Sequence, residues 1–406
     1  MAGHGETVQD DRAQSAFASA ASQLKIAIVH DWCPSFRGGE RVLAELCAMF
    51  PGAEVFTLFD FLPREVKDTY FPDVTFHTSV ANGFPWVKNY YRGLFFACPF
   101  LIEQFDVTGF DVVISSSAAF ARGVITRPDQ LHLSYIHSPV RYAWDEQFSY
   151  LGQGRLGYGP KGLAFRYLLH KLRTWDTRTA HGPDLMLANS SYVKARIRRI
   201  YGRDAEVVFP PVSMNELAFS AEKGDYYITA SFLAPYKRTD LVIQAFNEMP
   251  SRRLIVVGDG QQSSKLRALA KRNIEFAGFL PRRAYVEAVA KARALVFAGC
   301  EDFGIALAEA QACGTPLIAF NRGGACDIVR ELGRADRPTG ILFRKQTVDA
   351  VKGAVELFEA RSTQLLPEAC RENALRFSAE RFRAEIAQAF GKGLAMHPEL
   401  AEAGKV

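Results

Sequence analysis

The sequence predicts an α/β protein made of two doubly wound parallel sheets in tandem. Three observations carry this reading: short apolar runs alternate with helical periodicity, the alternation is interrupted once at residues 207–213 (VVFPPVS), and it then resumes on the same scheme. A chain of 406 residues is also longer than one hydrophobic core commonly serves. The expected division is a disordered tail over 1–23, a first domain over 24–211, a second over 212–375, and a terminal helical segment over 376–406 that packs back on the first domain.

Taken in order, the first 23 residues lack the apolar core of a signal peptide. LKIAIVHDW (24–32) reads as the first strand, and a glycine pair, Gly38 and Gly39, precedes the helical run that follows it. AEVFTLF (53–59), FDVVISSS (110–117), LHLSYIH (131–137) and DLMLANS (184–190) are the next strands, with helical segments between several of them. Such alternation predicts a parallel sheet covered on both faces. After the proline break, YYITASF (226–232) restarts the pattern, and RRLIVVGDG, IEFAGF, ALVFAGC and GILF are strands separated by helices. Residues 372–394 read as one strong helix. Ligands of such sheets lie beyond the carboxyl ends of the strands, so a cleft lined by strand-to-helix loops is expected between the domains.

Composition narrows the function classes. Hydrophobic residues at 48% and charged residues at 23% are ordinary for a soluble globular protein. A net charge of +5 suits an anionic ligand or membrane surface, and without a basic motif it does not indicate nucleic acid. The seven cysteines include no CxxC pair, which predicts reduced thiols in a cytoplasmic protein, with neither a zinc site nor a disulfide framework. No apolar run is long enough to span a membrane, so membrane contact is expected to be peripheral.

The candidate site residues lie at predicted strand ends. Gly38 and Gly39 open a helix whose free N–H groups favour an anion, although a glycine pair also suits any tight strand-to-helix turn. His137 ends a predicted central strand, where a histidine is either a satisfied structural residue or a functional one. Lys237 and Arg238 stand where the helix after YYITASF begins; cations oppose the helix dipole there, and a shared anionic ligand offsets the cost, the alternative being a solvated basic turn. Gly258 in VVGDG makes a flexible loop against which a base or ribose can lie. In CEDFGIALAEAQACGTPLIAF (300–320), Glu301 ends a strand, Gly304 allows close backbone approach, and the first helical amides point at the ligand region. Glu309 follows eight residues on, about two helical turns. Two carboxylates that accept hydroxyl hydrogen bonds beside an anion-binding helix end match a nucleotide sugar.

EDFGIALAE resembles the E-x7-E motif of retaining glycosyltransferases of family 4, whose GT-B fold has two facing Rossmann-like domains and a C-terminal helix crossing back, which implies that residues 24–211 form the acceptor domain and 212–375 the nucleotide-sugar domain. GGERV, HSPVRYAWD, PYKR and GTPLIAFNRGGACDIV resemble further segments of that family, and HSPVRYAWD with PYKR is similar to bacterial mannosyltransferases that build surface polysaccharides. The resemblance implies that Glu309 holds the donor ribose and Glu301 the sugar hydroxyls. Backbone around Phe303, Gly304 and Ile305 would hold the sugar and diphosphate, and Lys237 would neutralise the diphosphate. His137 would contact the sugar near the reacting carbon, and Gly38 and Gly39 would border the phosphates. Ser231-Phe232-Leu233 stands where many relatives read G-R-L, so the usual phosphate-binding arginine is absent, with Arg238 its candidate replacement.

The implied reaction is metal-independent transfer of a hexose, mannose from GDP-mannose by likeness, to a lipid-linked or growing saccharide, with the leaving diphosphate deprotonating the acceptor. No cofactor beyond the nucleotide-sugar substrate is expected. The aromatic and basic segments at 83–100 and 161–178 either rest on an anionic bilayer at the inner membrane face or pack as ordinary helices with snorkelling cations. Competing readings are a catalytically silent nucleotide-sugar binder and a sugar-nucleotide epimerase on the same architecture.

Overall fold

A computed structural model describes residues 17, 21–148, 151 and 159–403. Contacts divide the chain into two units, one formed by residues up to Phe209 together with Phe382 onward, the other by Pro210–Arg381. Of the tail expected over 1–23, residues 1–16 and 18–20 lie outside the described residues. Phe17 sets its ring edge-on to Phe50 and Phe390 at 5.4 and 5.6 Å, and Ala21 is buried, so these two residues belong to the core of the first unit.

The first unit contains β1 (Ile26–His30), β2 (Glu54–Thr57), β3 (Phe76–Thr78), β4 (Val112–Ser117), β5 (Leu131–Ile136), β6 (Leu185–Ala188) and β7 (Glu206–Val207). They pair in parallel in the order β3-β2-β1-β4-β5-β6-β7. β1, IAIVH, is buried along its whole length, as a strand covered on both faces must be. β3 and β7 are additional to the expected strands; at three and two residues on the edges they carry no readable alternation. Helix α1 (Gly38–Met49) follows β1, with Val42, Leu43 and Leu46 turned into the core.

In the second unit, β8 (Tyr227–Ala230), β9 (Leu254–Val257), β10 (Ile274–Gly278), β11 (Leu295–Phe297), β12 (Leu317–Phe320) and β13 (Gly340–Phe343) run in the order β10-β9-β8-β11-β12-β13, again parallel. Both sheets therefore reverse strand order beside their first strand, at β1/β4 and at β8/β11. Loops leaving the two strands at such a point diverge to opposite sides and leave room for a ligand. Helix α2 (Arg282–Ala290) leads into β11, and α3 (Ile305–Ala312) follows it.

The single helix expected over 372–394 is instead broken. α4 (Pro367–Ala374) ends in a 3-10 turn, Leu375–Phe377, and Ser378 is extended and bridges Val212 before α5 (Ala379–Leu394) begins. Phe377 causes the break, because its fully buried ring packs edge-on against Phe303 at 5.4 Å, a contact that a continuous helix would rotate away. From Phe382 onward α5 belongs to the first unit, where Phe382, Ile386, Ala389 and Phe390 are buried in its core. Arg383 pairs with Glu45 and Lys392 with Glu206 along its flanks.

The loop after β4 is held by one carboxylate. Buried Asp31, just past β1, accepts hydrogen bonds from the backbone N–H groups of Ala118, Ala119, Phe120 and Ala121 at 2.5 to 2.8 Å. Replacing Asp31 with alanine leaves four amides to find other partners. With charged-group hydrogen bonds contributing about 1.5–3 kcal/mol each and partial rehydration of the loop, the loss should be about 3 kcal/mol or more. Urea denaturation of Asp31→Ala beside wild type, followed by near-ultraviolet circular dichroism, checks this as a lowered midpoint.

Candidate active site

In the second unit, the loops leaving β8 and β11 bring Lys237 and Glu301 together. Residues 64 positions apart in sequence meet because their strands are neighbours in the sheet: Leu295 of β11 pairs with Ile228 of β8. Lys237 Nζ donates to Glu301 Oε1, and both side chains keep partial access to solvent. The ammonium also lies 5.0 Å from the centre of the Tyr236 ring. Glu301 is fixed by its backbone, since its carbonyl accepts the Gly324 N–H at 2.9 Å.

Beyond Glu301 the chain turns through Gly304, at φ +95°, into α3. A β-carbon at Gly304 would lie 3.4 Å from Glu301 Oε2 and 3.1 Å from Leu307 Cδ1, so the carboxylate reaches over a backbone that has room for it only because the residue is glycine. The Leu307 and Ala308 amides return to the Gly304 carbonyl. That leaves the Ile305 and Ala306 amides as the ones the helix itself does not use. Phe303 is buried against Phe377 and anchors the turn.

Gly258 performs a related task after β9. At φ +119°, a β-carbon there would fall 1.9 Å from the Ser231 carbonyl oxygen, so the loops after β8 and β9 touch backbone to backbone. Arg238 is left-handed at φ 52° and precedes the helix Thr239–Asn247, a conformation costing about 1–2 kcal/mol for a residue with a β-carbon. Its side chain reaches Asp240 at 3.3 Å. Phe232, in the same loop, is 37% exposed.

Glu309, expected to accept hydroxyl hydrogen bonds from a ligand, already has protein partners. It is 6% exposed on α3, and its Oε1 lies 2.8 Å from Arg282 Nη1 of α2; the Tyr285 hydroxyl is also hydrogen-bonded to it. Arg282 Nε in turn lies 3.5 Å from Glu216. Arg282 and Tyr285 were not legible as site residues, because an arginine opening an amphipathic helix reads as a solvated charge.

In the first unit, the strand ends of β1, β4 and β5 assemble two imidazoles around a hydroxyl. Ser116 Oγ is 3.1 Å from His30 Nδ1 and 2.8 Å from His137 Nε2, and the rings meet edge-on with centroids 6.3 Å apart. Burial lowers the His30 pKa, against the opposing pull of Asp31. Burial, reinforced by His30, pushes His137 down to about 3. Both imidazoles are therefore neutral near pH 7, and Ser116 donates to one ring nitrogen while accepting from the other. Part of the His137 surface remains accessible, and its carbonyl accepts from Asn189 Nδ2 at 2.9 Å. Gly39 passes the His30 ring, its missing β-carbon 3.7 Å from Cε1, and Gly38 begins α1. His30 ends a strand as His137 does, so the same positional signal was present for both.

The family described as "Glycosyl transferases group 1" matches residues 216–377, a stretch that lies within the second unit. Among curated proteins, the chain is 34% identical over 134 residues to the GDP-mannose-dependent monoacylated alpha-(1-6)-phosphatidylinositol monomannoside mannosyltransferase of Corynebacterium glutamicum, covering 29% of this chain and 34% of that enzyme. It is 30% identical over 164 residues to the D-inositol 3-phosphate glycosyltransferase of Mycobacterium marinum, covering 36% and 34%. The matched stretch thus spans about a third of the length of each relative. Among solved structures, Anabaena HepE in complex with UDP and glucose superposes with a TM-score of 0.68 at 17% identity, over 91% of this chain and 99% of that one. Sucrose-phosphate synthase from Thermosynechococcus elongatus gives 0.66 at 15%, over 92% and 100%. The fold is GT-B, two parallel-sheet Rossmann-like units.

Two outcomes follow from this geometry. Arg282→Ala strips the cation from an enclosed carboxylate; breaking a fully buried pair costs about 3–5 kcal/mol, and because Arg282 keeps about a third of its side chain exposed the expected loss is about 2 kcal/mol. Thermal unfolding of the variant beside wild type measures it. The second outcome concerns acid. A histidine whose folded pKa lies below its unfolded value binds fewer protons folded than unfolded, so stability present above the ordinary imidazole value of 6.5 is lost as pH falls toward about 3. Denaturation midpoints measured from pH 7 down to about pH 4 should decline less steeply in His137→Gln than in wild type.

Proposed function

We propose that the chain is a retaining glycosyltransferase that moves mannose from GDP-mannose onto a lipid-linked or growing saccharide in bacterial surface-polysaccharide synthesis. The observation that carries this reading is the Lys237–Glu301 pair at the β8/β11 switch, beside the unused amides of Ile305 and Ala306. A cation, an oriented carboxylate and helix-end amides are what a sugar diphosphate needs: charge for the phosphates and an acceptor for the sugar hydroxyls. The match of residues 216–377 to group 1 glycosyltransferases supports the reaction class. The printed donor of the Corynebacterium relative supports GDP-mannose.

In this reading Lys237, with Arg238, neutralises the diphosphate, and Glu301 holds the sugar hydroxyls. Backbone at Gly258, Phe303, Gly304 and Ile305 lies along the donor, and Glu309, oriented by Arg282 and Tyr285, holds the ribose. His137 is neutral and serves as a hydrogen-bonding group at the sugar rather than as a proton donor, with Gly38 and Gly39 beside the phosphates. The bond from the sugar's anomeric carbon to the diphosphate breaks, and a bond from that carbon to the acceptor oxygen forms on the same face. The acceptor proton goes to the departing diphosphate. Glu301, committed to Lys237, is a positioning group and not a nucleophile, and the transfer needs no metal.

Peripheral docking on an anionic membrane face in the cytoplasm is part of the proposal. Val80, Phe84, Trp86 and Tyr90 are exposed alongside Lys88 and Arg92. That mixture of aromatic rings and cations suits the headgroup region. Among the described residues no helix is long and apolar enough to cross a membrane. A second reading, a nucleotide-sugar binder without turnover, is favoured by Phe232 at the position of the family's usual phosphate-binding arginine.

Release of nucleoside diphosphate from a panel of GDP- and UDP-sugars, with membrane-extracted acceptors and with EDTA present, tests the proposal. GDP-mannose should be turned over only with acceptor. Lys237→Ala and Glu301→Ala should each lower turnover about 100-fold or more, as the removal of an electrostatic donor does. The pH profile should show no inflection from His137 between about pH 5 and 8. Tight donor binding with no turnover would leave the binder reading in place of the transferase.

A further inference from the structure

The first unit holds a cavity of about 510 Å³ that no donor-binding role above uses. It opens among the loop after β1, the start of α1, Phe61 beyond β2 and the segment 88–92. Its volume falls in the range of small-molecule sites. Cations and aromatic rings make up most of its lining. Arg37, Lys88 and Arg92 are three cations, all exposed at its edge, and Glu40 is the one carboxylate in the lining. Trp32, Phe61 and Tyr91 form an aromatic wall, with Trp32 and Phe61 each edge-on to Tyr91 at 5.6 and 5.8 Å.

The charges do not cancel within the cavity. Glu40 is buried, and one of its oxygens accepts the backbone N–H of Arg37 at 2.9 Å as part of the α1 cap. Burial raises its pKa to about 7, so the acid is partly protonated near neutrality. Arg92 stacks on the Tyr91 ring at 5.6 Å and donates to its hydroxyl at 3.1 Å, a neutral partner, and among the described residues no carboxylate pairs with Lys88 or Arg92. The surplus is positive and sits against flat apolar rings. Cations beside aromatic faces are complementary to a sugar ring that carries a phosphate, the ring lying on the aromatics and the phosphoester oxygens on the guanidinium and ammonium groups.

We propose that this cavity is the acceptor site and that it selects an acceptor bearing a phosphoester, held by Arg37, Lys88 and Arg92 with its saccharide against Trp32, Phe61 and Tyr91. The role as acceptor site rests on the transferase reading; the preference for a phosphorylated saccharide rests on the cavity alone. The phosphoester has two sources, a soluble sugar phosphate or the phosphate of a lipid-linked sugar. The exposed Phe84, Trp86 and Tyr90 adjoin the cavity's own Lys88 in sequence.

The test is calorimetric binding to the full chain, with nucleoside diphosphate at saturation to occupy the second unit. Three probes are compared: α-mannose 1-phosphate, uncharged methyl α-mannoside, and mannose joined through a diphosphate to a short prenyl chain in detergent micelles. The phosphorylated probe should bind at least tenfold tighter than the methyl glycoside. That preference should disappear in both Lys88→Gln/Arg92→Gln and Lys88→Glu/Arg92→Glu, while affinity for nucleoside diphosphate alone stays within twofold of wild type and reports an intact fold. Prenyl diphosphate mannose binding tenfold tighter again would identify the lipid-linked source, and equal binding the soluble one; both support the site. Equal binding of the phosphorylated and uncharged mannosides, or a preference that survives both double variants, would overturn it. Phosphate-dependent binding with no transfer from any donor would sink the transferase reading and leave the cavity as a phosphosugar site, so the two failures are distinct.

Discussion

Removing a carboxylate from water is the constraint on which most of this structure depends, and the chain meets it differently at each position. Asp31 is satisfied by four backbone amides. Glu301 is satisfied by Lys237, and Glu309 by Arg282 and Tyr285. Glu40 is held by backbone N–H groups, that of Arg37 among them, but burial outweighs them and its acidity is correspondingly weakened. An ionised carboxylate without such partners is costly in a protein interior, so each pairing fixes the loops that supply it. The loop after β4 is in this way tied to the end of β1, and the loop after β8 to the turn before α3.

The two units use one topological device for different chemistry. Each sheet reverses strand order beside its first strand, and side chains from the diverging loops converge there. At β8/β11 the result is a cation, a carboxylate and unused amides, a polar arrangement suited to a sugar diphosphate. At β1/β4 it is a neutral pair of imidazoles sharing the Ser116 hydroxyl, which can position a ligand but hold little charge. Glycines at 258 and 304 keep the β8/β11 arrangement compact, since a β-carbon at Gly258 would meet the Ser231 carbonyl and one at Gly304 would crowd Leu307 and Glu301.

Much of the fold was legible before the structure. Long apolar strands such as IAIVH and VVISSS, the proline break near 210 and the glycine pair before α1 are local signals, and the structure has the corresponding elements. β3 and β7 were not legible, because two or three residues on a sheet edge carry no period. The break between α4 and α5 was hidden as well: local propensity favours helix throughout, and the interruption comes from Phe377 packing on Phe303, a contact across 74 positions of sequence. Of the candidate site, the two glutamates and Lys237 were singled out from motif position, whereas Arg282, Tyr285 and Ser116 were not, since none stands out among its sequence neighbours; His30 carried the same strand-end signal as His137 and was passed over.

The sequence by itself determined the order and type of most elements, the position of the break between halves, and the presence of two acidic residues two helical turns apart. These follow from interactions within a few residues, where periodicity and turn chemistry act directly. The tertiary structure alone decided which cation meets which carboxylate, that His137 is neutral, and that three cations and three aromatic rings line one cavity. Charge pairing and proton affinity depend on distance and burial, and parallel strand order sets both by joining residues as far apart in sequence as His30 and Ser116.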